Sequence, residues 1–115
     1  MKRLGFAVLS YMAFATVAHA ACSTASMAGK WTLVGQGQVC TATVATSGAF
    51  TTVCSAPPNF SGSLVVTSAC RVSGTASGIA FKGRTEAIPV GSTLKPTLII
   101  GASTNGQIAF TGFRQ

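Results

Sequence analysis

The sequence predicts an all-β, disulfide-bonded domain, a closed antiparallel barrel or alternatively a β-sandwich, and three observations predict it. Beyond Gly29 the chain is a succession of short runs rich in Thr, Val, Ile and Phe, broken at short intervals by Gly, Ser, Asn or Pro, the composition of pleated strands joined by tight turns. No stretch of it carries the period of an amphipathic helix. Its four cysteines, Cys22, Cys40, Cys54 and Cys70, fall in a span too small to rely on core burial alone, the setting in which disulfides are used in oxidising compartments.

The first twenty residues read as a secretory signal. Met1-Lys2-Arg3 is a basic start, residues 4–17 are apolar, and Ala18-His19-Ala20 offers a small-residue cleavage site. The apolar stretch is shorter than the ~20 residues that cross a hydrocarbon core, so no transmembrane segment is expected in the mature chain. A lipid on Cys22 is the lesser reading, because His19 stands where lipoprotein signals resemble one another in carrying leucine or a similar aliphatic residue. Residues 21–115 then form a single β domain, exported to the periplasm or beyond the cell.

Nine strands are expected, over 30–35, 38–45, 49–55, 62–68, 70–75, 79–84, 85–90, 93–100 and 107–113. Thr46-Ser47-Gly48 suits a three-residue hairpin loop with Gly48 in the left-handed region. That register sets Cys40 opposite Cys54 at a non-hydrogen-bonded pair, close enough for a disulfide. By elimination Cys22 joins Cys70, one of three connectivities that four cysteines allow. Pro57-Pro58-Asn59 and Ala76-Ser77-Gly78 mark further turns. Asn105-Gly106 fits a type I′ turn, since both residues tolerate positive φ. Alternation places Ile79 and Phe81 on the core face, with Lys82, Arg84 and Glu86 toward solvent. Ile108 and Phe110 share one face of the last strand.

Residue types restrict the chemistry. Residues 21–115 hold no His, no Asp and only Glu86 among carboxylates, which leaves no Ser-His-Asp triad, paired-carboxylate hydrolysis, zinc site or calcium cage to expect. Neither a catalytic residue nor a cofactor is therefore assigned. Six basic residues, Lys30, Arg71, Lys82, Arg84, Lys95 and Arg114, against Glu86 give a net charge of +5. They are dispersed along the sequence without a basic run, so no nucleic-acid partner is expected.

The two ends of the chain carry a resemblance. Ala28-Gly29-Lys30-Trp31-Thr32-Leu33-Val34-Gly35, with Gly29 ahead of a Trp that opens the first strand, resembles the calycin class of small up-and-down barrels, in which that Trp plugs one end. The last strand, running to Phe113-Arg114, resembles the calycin strand whose basic residue lies over the Trp. The resemblance implies structural roles for Gly29, Trp31 and Arg114, the last two as a cation on an indole face, a contact contributing about 0.5 to 2 kcal/mol. Within that class the chain looks like the small periplasmic inhibitors of secreted bacterial metalloproteases, whose N-terminal trunk enters the protease cleft. Ala21, Cys22 and Ser23 would lead such a trunk, although a bridge at Cys22 would tether it.

Two functions are thus expected: a non-enzymatic binding protein directed at a protein partner, with protease inhibition as the resemblance implies, or a structural or adhesive module of the envelope or surface. A small-ligand carrier is disfavoured, because a barrel of 95 residues is expected to need nearly all of its interior positions to fill its own core.

Overall fold

A computed structural model describes residues 21–115; the expected signal segment, residues 1–20, lies outside the described residues. A 3-10 turn at Ala25–Met27 precedes eight strands, β1 (Gly29–Gly35), β2 (Gln38–Val44), β3 (Ala49–Cys54), β4 (Phe60–Val66), β5 (Arg71–Ala76), β6 (Ile79–Val90), β7 (Thr93–Ser103) and β8 (Ala109–Arg114). Each strand pairs antiparallel with the next, and β8 returns to β1 with Trp31 opposite Arg114 and Val34 opposite Thr111. The fold is therefore a closed up-and-down barrel and not a sandwich, and closure leaves no edge strand with unpaired backbone groups.

The hairpin loop between β2 and β3 takes the expected form. Gly48 has φ of 94°, Ala45 N–H donates to Ala49 O at 2.8 Å, and the register sets Cys40 against Cys54 and Val44 against Phe50. Cys40 and Cys54 are bridged with Cα atoms 3.9 Å apart, and Cys22 and Cys70 with Cα atoms 5.1 Å apart.

Three expectations are corrected. The runs 79–84 and 85–90 are one strand, β6, because Arg84 and Thr85 both remain on the ladder opposite Ile100 and Ile99. The irregularity comes later, where the register shifts between Glu86 and Ala87 and leaves Thr97 without a partner beside Pro96; a bulge accommodates a proline that has no N–H to give. At the last turn only Gly106 has positive φ, 78°. Asn105 instead turns its side chain inward on the loop, where Oδ1 accepts from Ser103 Oγ and Gln107 N, so the connection is longer than a two-residue type I′ turn. Ile79 and Ile108 do face inward with Phe81 and Phe110, but they sit at one mouth of the barrel, and Ile79 is 41 % exposed.

The interior is built on a repeated cross-strand pairing. Phe50 faces Gly62, Phe81 faces Gly74 and Phe110 faces Gly101. A Cβ at any of these glycines would come within 2.9 Å of an atom of the facing ring, so each ring lies against the bare backbone of its neighbour strand. Phe60, Phe50, Phe81 and Phe110 then meet edge to face in sequence, with centroids 6.5, 6.4 and 5.6 Å apart, a geometry aromatic pairs favour. Rings held against the wall do not reach across the lumen. A cavity of about 370 Å³ remains inside the barrel, so the expectation that this small barrel fills itself is not met.

The two bridges close loops of different length, 48 and 14 residues apart in sequence. Replacing Cys22 and Cys70 together by Ala is expected to cost about 4 kcal/mol, and replacing Cys40 and Cys54 about 3 kcal/mol, by the loop-entropy argument. Urea unfolding of both double variants measures this, and a larger loss for the shorter loop would reverse the expected order.

Candidate functional site

One end of the barrel is sealed by the N-terminal segment. Cys22 is only 5 % exposed; Thr85 Oγ1 donates to its sulfur, which as a disulfide can only accept, at 3.8 Å. Thr24 Oγ1 accepts from Val66 N at 2.9 Å, and Ser23 and Ser26 exchange hydrogen bonds that tighten the turn between them. Met27 and Trp31 are both buried to 1 % exposure, and Trp31 Nε1 donates to Met27 O at 2.9 Å. The indole is thus fixed at its polar edge, as a buried Trp requires.

Arg114 locks this arrangement from the last strand. Its Nε donates to Pro96 O at 2.7 Å, Nη1 to Ala28 O at 2.7 Å and Nη2 to Ser26 O at 2.6 Å, while its guanidinium carbon lies 4.7 Å from the centroid of the Trp31 ring. Burial lowers its pKa from the ordinary arginine value, yet an arginine remains charged; its partners are backbone carbonyl dipoles. Gly29 has φ of 129°, and a Cβ there would stand 2.9 Å from Arg114 Nη1. Position 29 is glycine for two reasons, its backbone conformation and the guanidinium above it.

The opposite end is open. Its rim consists of the turns joining β1 to β2, β3 to β4, β5 to β6 and β7 to β8, with Val34, Gln36, Pro58, Ser77, Ile79 and Ile108 around the entrance. Gln36 Nε2 donates to Gln107 O at 2.8 Å and ties two of these turns together. Below the rim the wall is Leu33 and the four phenylalanines, and Trp31 with Met27 forms the floor. Among the described residues no charged side chain lines the cavity.

The basic residues lie elsewhere. Lys82 and Arg84 are exposed on the outer face of β6, where Arg71 pairs directly across from Arg84, so residues distant in sequence become neighbours. Glu86 approaches Arg84 at 3.9 Å with both side chains largely exposed, a contact of little energetic weight. Among the described residues no cluster of three or more His, Cys, Asp or Glu is gathered as a metal site.

Of the residues the sequence singled out, Gly29, Trp31 and Arg114 come together at the sealed end, and Ala21, Cys22 and Ser23 are at that end too, tied to the body through Cys22 and Cys70. The apolar lumen was missed. Its signal is the set of inward glycines opposite phenylalanines, which becomes readable only when the strand register is known. Fold and cavity together define a class, an eight-stranded up-and-down barrel with an apolar lumen open at one end. Compared with protein-family models, with curated proteins and with solved structures, the chain has no match in any of the three.

Removing the guanidinium strands three carbonyls at the sealed end. Arg114→Ala is expected to lose about 2 to 4 kcal/mol, with Arg114→Lys recovering only part of it, because one ammonium cannot serve the fork geometry. Gly29→Ala should lower stability as well, and chemical denaturation of the three variants checks the ranking.

Proposed function

We propose that this protein is an exported binding protein that takes up a small apolar molecule in the lumen of its barrel. The observation that carries this reading is the cavity itself: about 370 Å³, within the range of small-molecule sites, walled by aromatic and aliphatic side chains and entered from one end. Dry apolar cavities of about 150 Å³ already bind benzene, so the space suffices for a larger hydrocarbon. Two disulfides support life in an oxidising compartment. The residue types of 21–115, without His or Asp, support binding over turnover.

Inhibition of a protease through residues 21–23 fits the geometry less well. A segment whose Cys22 is bridged and buried does not extend into a cleft. An inhibitor would have to present the sealed end of the barrel as a whole.

Trp31, the one tryptophan of the chain, lies at the cavity floor and reports occupancy. Titration of the oxidised protein with the uncharged dye 1-aminoanthracene is expected to give saturable, one-to-one binding with energy transfer from Trp31. Gly101→Val, which drives the Phe110 ring into the lumen, should weaken that binding at least tenfold. Dye fluorescence that rises linearly without saturation would rule the reading out.

A further inference from the structure

The distribution of charge narrows the ligand. All six basic residues of 21–115 are placed away from the entrance: Lys30, Arg71, Lys95 and Arg114 belong to the end opposite the mouth, and Lys82 and Arg84 project outward from the β6 wall. Glu86 is on that same outer surface beside Arg84. A protein of net charge +5 over this span thus keeps every formal charge off its cavity and off its rim.

The rim still offers polar groups, and all of them are uncharged. Gln36 uses its Nε2 on Gln107 O, which leaves the Oε1 of the same amide as an acceptor. Gln38 and Ser77 also line the entrance, with an amide and a hydroxyl that donate and accept. Ser103, deeper in, is already engaged with Asn105 Oδ1 and Ile108 N. A charged head seated at this mouth would lose part of its hydration and gain no counter-charge, a combination that opposes binding. A hydroxyl or amide head would exchange water for the rim amides at little cost.

Size sets the rest. Scaled from the ~150 Å³ that receives benzene, the lumen holds a molecule of roughly 10 to 15 non-hydrogen atoms. Resting on the proposed lumen-binding function, we infer that the ligand is a medium-chain, uncharged amphiphile, such as a fatty alcohol or amide, bound with its hydrocarbon against the phenylalanine wall and its neutral head at Gln36, Gln38 and Ser77.

Displacement of 1-aminoanthracene from the oxidised protein at pH 8 by 1-decanol, decanoate and decyltrimethylammonium tests this. Decanol is expected to displace the dye at a concentration at least tenfold lower than either ion. Ile79→Lys, at the exposed rim, should improve decanoate at least tenfold and leave decanol within about threefold; Ile108→Lys provides a second rim position if the first variant does not fold, as judged by Trp31 emission. Decanoate as effective as decanol on the unaltered protein, or no gain for decanoate in a folded rim-lysine variant, would overturn the inference and leave lumen binding intact. Failure of the dye to bind at all would remove both.

Discussion

The guanidinium of Arg114 is the contact on which the shape of this molecule depends. The barrel ladder fixes each strand to its neighbours, but residues 21–28 form no strand and join it only through single hydrogen bonds such as Val66 N to Thr24 Oγ1. Arg114 binds that segment at Ser26 and Ala28, holds the start of β7 at Pro96 and covers Trp31. Charge-assisted hydrogen bonds are the stronger kind, and a planar fork serves several carbonyls at once. With the Cys22–Cys70 bridge and the hydrogen bonds from Val66 N to Thr24 Oγ1 and from Trp31 Nε1 to Met27 O acting on the same segment, the end of the barrel is closed by covalent and polar fastenings together. Only the other end is left open.

An open lumen in so short a chain follows from where volume was removed. Small barrels are ordinarily filled by their inward side chains. Here glycine occupies the inward position opposite three of the phenylalanines, and each ring settles onto its neighbour's backbone. Edge-to-face contacts join the rings into a lining. The arrangement keeps a continuous apolar surface, which sustains the hydrophobic contribution to stability, while the centre stays clear. Packing cost and open volume are two consequences of the same pairing.

Electrostatics and cavity are kept apart. The cations are carried on the outer face and at the sealed end, where Arg71 and Arg84 stand opposite each other with Glu86 near one of them. Their field acts on the surroundings of the molecule and on its solubility, and none of them supplies a direct counter-charge within the lumen. This separation is why the composition of residues 21–115, basic and with Glu86 as its one acidic side chain, gives no sign of the apolar lumen.

What residue order settled by itself was local. β-rich runs and turn residues produced the antiparallel class, Gly48 in its hairpin fixed the Cys40–Cys54 register, and that pairing left Cys22 for Cys70. These follow from φ preferences and a side-chain period of two, which act over a few residues. Tertiary structure decided the rest: closure over a sandwich, the union of two runs into β6 with its bulge near Pro96, the capture of Asn105 Oδ1 by its own loop, and above all the lumen. Each depends on which residue faces which across strands, and a cavity is the sum of many such facings, so it exists only once eight registers are fixed together.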